Sequence, residues 1–217
     1  MAELPLFPLN AVLFPGTPIY LHVFEPRYRA MIRHCLDQGQ DFGVVLIQAG
    51  AEALGPLPRP HPVGCRARIE RVEPLAGGRM HLAARGGERF RILDLMRDRP
   101  YLVAEVEPLP MAVEPGATLA REAERLRPWA ERYLTLLGQA DAQSRLPERL
   151  PAAPLELAWT IAWILRLPTP RKQALLASPQ ASALMAELRR ILREELPLAQ
   201  VLLSEAGPPM AGPFSLN

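Results

Sequence analysis

Cys35, Cys65, His22, His34, His61 and His81 are the side chains of this 217-residue chain best suited to hold a transition metal or act as nucleophiles. A zinc site draws its ligands from close spacings such as CxxC or HExxH, where two donors on one turn can share an ion. Neither spacing occurs. His34 and Cys35 are adjacent on an expected helix and so point to different faces, and His61-Pro62 falls in the proline-rich stretch 55–62. No metal and no cofactor is expected. The single lysine, Lys172, lies six residues before Ser178, which is the wrong spacing for one helix face, and a Ser-Lys dyad needs amine and hydroxyl side by side. There is no GxSxG elbow and no GxxxxGK[ST] loop. Gly77-Gly78 and Gly86-Gly87 lie between apparent hairpin strands, where turns account for them. Glu70 with Glu73, and Glu105 with Glu107, read as solvated strand faces. No catalytic residue emerges, and the weight moves from chemistry to binding.

Composition narrows the binding classes. Half of the chain is apolar (49%) and 22% is charged, as in ordinary globular domains. The net charge is +2, with acids interleaved among the bases, so nothing resembles the concentrated positive charge of nucleic-acid binders. The start, Met1-Ala2-Glu3-Leu4-Pro5, has no basic and apolar leader pattern. The most apolar window, 157–165, falls far short of the roughly 20 residues that span a bilayer. A cytoplasmic protein with reduced cysteines and no membrane partner is expected.

The elements divide the chain in two. Residues 42–49 form a continuous apolar run, as in a strand covered on both faces. Between 63 and 72 the pattern alternates, with Cys65, Ala67 and Ile69 on one side and Arg66, Arg68 and Glu70 on the other. Gly77-Gly78 turns the chain into a returning strand, 79–85; Gly86-Gly87 turns it again into 88–95, and 101–107 follows. One helix interrupts these strands: Pro26 suits its first position, and Tyr28, Met31, Ile32 and Cys35 make its apolar stripe. Prolines and a glycine at 108–116 break the periodicity. Beyond them come a long helix with Leu119, Ala123, Leu126, Ala130, Tyr133, Leu134 and Leu137 on one face, kinked by Pro128 and ended by Gly138, and a polar loop at 139–150. A buried helix over 155–167 follows, then helices whose starts suggest Thr169-Pro170 and Ser178-Pro179 caps. The last helix carries Ala181, Leu184, Met185, Leu188, Ile191 and Leu192 on one stripe. The expected fold class is α+β, with one unit over 1–112, a helical unit over 113–206 and a tail at 207–217.

Two stretches are more specific than periodicity. Residues 4–16, Leu-Pro-Leu-Phe-Pro-Leu-Asn-Ala-Val-Leu-Phe-Pro-Gly, and residues 22–29, His-Val-Phe-Glu-Pro-Arg-Tyr-Arg, resemble in order and spacing the N-terminal domain family of Lon proteases, which also includes a domain of cereblon. Phe42-Gly43-Val44-Val45-Leu46-Ile47 with Gly50 and Glu52 resembles its freestanding bacterial members. The similarity continues through Val63-Gly64, Ala67-Arg68-Ile69, the 87–92 strand, 101–106, Leu157-Ala158, Ile161-Ala162, Leu165, Lys172-Gln173 and Leu175-Leu176, covering about residues 3–196. One departure is Ala183-Leu184, where the family often carries Arg-Leu.

The resemblance implies a PUA-like β-barrel followed by a C-terminal α-helical bundle, in a non-catalytic polypeptide-binding protein without ATPase or protease domains. Its implied partners are unfolded or tagged polypeptide segments, with a protease as a second partner. Such segments present apolar side chains and free backbone groups, so an apolar groove between the two units or an unpaired strand edge is needed. Phe14, Pro15, Tyr20 and Tyr28 are the candidate binding residues; Phe7 and Phe24 read as core. Glu25 and Arg27 pair with each other or tie the helix to neighbouring strands. Pro5, Pro8, Pro15 and Pro18 fix extended segments and turns. The alternatives are an RNA-binding PUA-like protein, suggested by Arg66, Arg68, Arg89 and Arg91, and a small-molecule-binding module; both rest on fold analogy.

Overall fold

The structure, a computed structural model, describes residues 2–52, 55–114, 116–140, 146–147 and 149–205. Six strands come first: β1 (Ala2–Leu9), β2 (Pro18–Val23), β3 (Phe42–Ala49), β4 (Arg59–Pro74), β5 (Met80–Met96) and β6 (Leu102–Pro108). Helix α1 (Pro26–Gln38) lies between β2 and β3, and four helices follow: α2 (Gly116–Ala140), α3 (Pro154–Ile164), α4 (Thr169–Leu176) and α5 (Ala181–Glu205). The expected tail at 207–217 and part of the expected 139–150 loop lie outside the described residues.

The strands form one mixed sheet in the order β2-β5-β4-β3-β1-β6, with β5 also paired to β6. The pairings therefore run in a cycle from β1 through β3, β4, β5 and β6 back to β1, and β2 hangs outside it on β5. β1 carries two prolines although it lies between β3 and β6. Pro5 pairs only toward β6 (Val103) and Pro8 only toward β3 (Val45), so each has an open side where a missing N–H costs nothing.

The helix stripes were legible. Tyr28, Met31, Ile32 and Cys35 are the buried residues of α1, and Pro26 opens it. The expected α2 face is buried except for Leu134, which is half-buried. The helix runs past Pro128 and past Gly138, two residues beyond the end expected for it. All six residues of the α5 stripe are buried. The caps differ. Thr169 and Ser178 cap nothing: α4 is entered through Pro168 with no side-chain cap, and the Ser178 hydroxyl donates to the Gln180 carbonyl instead. The start of α5 is held from outside, by Glu114 of the linker, which accepts from the Ser182 amide (3.3 Å) and from the Ser182 hydroxyl. Backbone bonds Ala112 N–H to Pro179 O and Ala181 N–H to Ala112 O (both 3.0 Å) fasten the same junction.

The Ser182 hydroxyl holds the Glu114 carboxyl below the usual carboxylate range. A lowered folded-state pKa contributes stability above the unfolded-state value and loses it as pH falls. Glu114→Gln is therefore expected to melt below the native chain at neutral pH, with the gap closing as pH falls through and below the usual carboxylate range. Melting curves across that range check it; a gap that stays constant with pH rules out the carboxylate as the cap.

One core runs through both halves of the chain. Phe14 stacks on Trp159 of α3 with ring centroids 5.9 Å apart. Arg89 of β5, only 4% exposed, donates from Nη1 to the carbonyls of Leu176 (2.6 Å) and Ser178 (2.7 Å) at the end of α4. Gln173 of α4 donates back to the Val63 carbonyl at 2.9 Å. A second cluster, Leu4, Leu6, Val45, Phe90, Leu102, Ala104 and Val106, fills the strand-rich part alone.

Candidate functional site

β2 is the terminal strand of the series and, among the described residues, pairs with β5 alone. In an antiparallel pair, alternate residues turn their backbone N–H and C=O away from the partner, so the outer rim of β2 presents hydrogen-bonding groups that no strand covers. Its side chains alternate as well. Tyr20, His22 and, just past the strand, Phe24 face outward; Leu21 is half-buried and Val23 buried. Tyr20 is 60% exposed and Phe24 46%.

The outward face extends across two more strands through the register. Tyr20 stands opposite Ala83 and that opposite Arg71; His22 stands opposite His81 and that opposite Glu73. These residues line an open hollow of about 490 Å³. The imidazoles of His22 and His81 are 5.3 Å apart, edge to face, and His22 is 5.7 Å from the Phe24 ring. On the other side of β2 is a smaller cleft of about 140 Å³, walled by Phe7 and Leu9 of β1, residues 20–25, Tyr28 and Glu52. A third depression of about 250 Å³, lined by Gly16, Thr17, Pro18, Arg85, Leu146, Pro147, Thr160 and Trp163, lies where the strand-rich and helical parts meet.

The four candidate binding residues are therefore not one surface. Phe14 is fully buried against Trp159 and has no surface to present to a ligand; its role is packing. Pro15 is half-buried in the turn before β2. Tyr28 is 2% exposed and stacks on Phe7 at 4.2 Å, yet it is among the residues that line the smaller cleft. Its hydroxyl is buried and has no hydrogen-bond partner among the described residues. Burial pushes the phenol up to about 12, against the opposing pull of the Arg27 guanidinium, so it stays a neutral donor. Only Tyr20 is openly exposed. Phe24, expected in the core, is not buried; the period-two pattern of residues 20–24 places it on the outward side.

Glu25 and Arg27 pair as expected, and the tie from the helix goes to the loop between β3 and β4 rather than to a strand. They pair at 2.9 Å, and Arg27 donates to the Gly55 carbonyl at 3.0 Å. Glu52 completes the clamp by accepting the Asn10 amide at 2.9 Å. This fixes the entry to α1, and with it the wall of the cleft.

The arginines behind the nucleic-acid alternative are dispersed. Arg89 is inside, and Arg91 pairs with Glu107 at 3.5 Å. The residues considered for chemistry are also otherwise engaged. Lys172 Nζ donates to the Trp163 carbonyl at 2.9 Å, and burial lowers its pKa. Cys35 and Cys65 are buried and unpaired; burial pushes the Cys35 thiol up to about 11 and the Cys65 thiol higher still, so both are held as thiols. Among the described residues no three His, Cys, Asp or Glu are grouped to hold a metal, and no helix is long and apolar enough to cross a membrane.

Comparison with known proteins places this arrangement. A Lon protease of Phenylobacterium zucineum is 29% identical over 207 residues, covering 89% of this chain and 25% of that protein. A Lon protease of Methylocella silvestris is 31% identical over 182 residues, 83% of this chain and 20% of that protein. The chain thus spans about a quarter or less of these relatives. Among solved structures, a Lon N-terminal domain protein from Xanthomonas campestris is 32% identical with a TM-score of 0.59, covering 87% of this chain and 97% of that one. The N-terminal domain of Mycobacterium avium complex Lon protease shares the fold at 20% identity, with a TM-score of 0.65 over 90% of this chain and all of that one. The family description matched by residues 3–194 is the substrate-binding domain of the ATP-dependent protease La (LON), not its catalytic domains, and the chain belongs to that family.

Proposed function

We propose that this chain is a non-catalytic polypeptide-binding module that takes extended segments of unfolded or tagged proteins along the outer edge of β2. One observation carries the reading: the uncovered rim of β2, flanked by exposed Tyr20 and Phe24, borders a cleft that Tyr28, whose buried hydroxyl has no partner among the described residues, helps to line. An unfolded segment has little to be recognised by except backbone amides and scattered apolar side chains. A strand edge answers the first and aromatic rings the second. A buried hydroxyl without a partner is costly unless a ligand group completes it, which suits a backbone carbonyl of the bound segment. On this reading the strand-rich part, residues 1–112, is a PUA-like barrel that carries the edge; the cycle of strand pairings supports it. The helical part, residues 113–206, is a bundle that buttresses the barrel. A protease is the partner class implied by the Lon relatives.

A peptide array probed with the chain is expected to retain segments rich in alternating apolar residues, and uniformly blank arrays at high protein concentration sink the proposal. Within a retained segment, Tyr28→Phe is expected to weaken binding about fivefold, the value of one hydrogen bond of roughly 1 kcal/mol. Tyr20→Ala, on an exposed ring, is expected to weaken it by a similar factor while leaving the melting temperature unchanged. Fluorescence anisotropy titration measures both. Equal affinity in all three proteins moves the binding surface elsewhere.

A further inference from the structure

Two arginines of α1 converge where the β2–β5 strand pair ends, and a third directly precedes β5 there. Val23, the last residue of β2, pairs with Met80, the first of β5, and the tight turn Ala76–Gly78 lies immediately before it. Gly78 adopts a positive φ of 71°, and a Cβ there would run into the Arg29 guanidinium and stand 3.1 Å from Arg33 Nη2. Arg29 and Arg33, one turn apart on α1, therefore bring their guanidinium groups to the same point above a bare backbone. Arg79 follows directly in the chain, its Nε donating to the Ala76 carbonyl.

Among the described residues no carboxylate answers this charge. Among the described residues neither Arg29 nor Arg33 makes an ion pair or a side-chain hydrogen bond, and Arg29 Nε is buried without an acceptor. Elsewhere the chain's arginines find partners readily, as Arg27 does with Glu25, Arg85 with Glu70 and Arg190 with Glu187. Asp37, one turn beyond Arg33 on the same helix, and Glu73, on the strand before the turn, make no ion pair with this cluster. Arg71, on the outward face, adds a further cation without an ion pair among the described residues. Like charges converge at some cost unless a ligand anion joins them, and guanidinium forks match planar oxyanions in two-point hydrogen bonds.

We infer that Arg29, Arg33 and Arg79 form an oxyanion site that selects extended polypeptide segments bearing Asp or Glu beside the apolar stretch held on β2. This inference rests on the reading of β2 as the polypeptide-binding edge. The position favours a peptide carboxylate over a free anion, because the cluster lies at the end of the β2–β5 pair, beside the strand on which the segment is laid.

Two fluorescent peptides test it, identical in an alternating apolar stretch and flanked at either end by glutamates in one and glutamines in the other. The acidic peptide is expected to bind about tenfold tighter at low salt, with the difference shrinking as ionic strength rises. Arg33 is exposed, so Arg33→Gln is expected to remove the preference while leaving the glutamine peptide's affinity and the melting temperature unchanged, and Arg33→Glu to reverse it. Equal affinity for the two peptides overturns the oxyanion site and leaves polypeptide binding standing. Failure of both peptides to bind removes the functional reading and this inference with it. Displacement of the acidic peptide by inorganic phosphate at equal concentration, or by a single-stranded oligonucleotide below it, overturns the assignment in favour of those anions.

Discussion

Replacing Arg89 with alanine is expected to lower the stability of the whole chain by about 3 kcal/mol or more, a fall of roughly 6–12 °C in melting temperature for a domain of this size. The side chain is 4% exposed and acts in three ways at once. Its Nη1 supplies the Leu176 and Ser178 carbonyls, which lie at the end of α4 where the helix leaves its last C=O groups without intrahelical donors. Its charge sits at the negative end of that helix dipole. Its guanidinium lies 5.5 Å from the centre of the Trp159 ring, which in turn stacks on Phe14. Alanine strands one buried and one part-buried acceptor and leaves a cavity beside a tryptophan. Arg89→Met fills most of the volume and removes the donors, so it should recover part of the loss; Arg89→Lys keeps the charge but not the reach of the fork, and should fall between them. Burial lowers the Arg89 pKa, but the group remains a cation, so the effect should be flat across neutral pH. Urea unfolding followed by tryptophan fluorescence measures the series. An alanine variant within a degree or two of the native chain shows that α4 and the sheet do not depend on this bridge.

Arg89 also shows where sequence reading ran out. In the alternation of residues 88–95 an arginine next to Phe90 reads as an outward charge, and nothing local distinguishes it from Arg91, which does face solvent and pairs with Glu107. The distinction lies 87 residues away, in carbonyls that α4 brings to it. The same limit governs the aromatic residues. Periodicity found the buried stripes of α1, α2 and α5 because a helix face repeats within a few residues. Phe14 and Phe24 sit in short extended stretches beside turns, where inside and outside depend on which element passes over them. Trp159 covers Phe14; nothing among the described residues covers Phe24 to the same degree. Tyr28 combined both situations: its place on the α1 stripe was legible, but its position beside a cleft between β1 and β2 was not. The caps failed for a related reason. Thr169 and Ser178 carry the local pattern, whereas the group that holds the start of α5 is Glu114, 68 residues before its partner Ser182.

Gly86→Ala should be among the most damaging single-methyl additions in the protein, costing about 2–4 kcal/mol, and Gly87→Ala, one residue on, should cost less than about 1 kcal/mol. The sequence treats the two glycines alike, as a turn. The structure does not, because β5 runs through both without turning. At Gly86 the 14–17 turn folds directly onto the strand: the Gly16 amide donates to the Gly86 carbonyl at 2.8 Å, and the Gly86 amide to the Thr17 carbonyl at 2.9 Å. Thr17 is buried, and its hydroxyl donates to the Phe14 carbonyl at 2.9 Å, locking the turn. A Cβ at Gly86 would collide with that Phe14 carbonyl and stand 2.9 Å from its carbon, and these are backbone atoms that cannot rotate away. At Gly87 the nearest neighbour of a Cβ is Arg66 Cβ at 3.5 Å, an ordinary contact. The alanine at 86 must push the turn outward, which loosens Phe14 from Trp159 on one side and shifts the start of β2 on the other. Its signature is therefore double: lower stability, and weaker peptide binding measured below the shifted melting point. Gly87→Ala should show neither. If the two variants unfold at the same denaturant concentration, the turn is not seated on Gly86, and the rigid positioning of the β2 edge has to come from elsewhere.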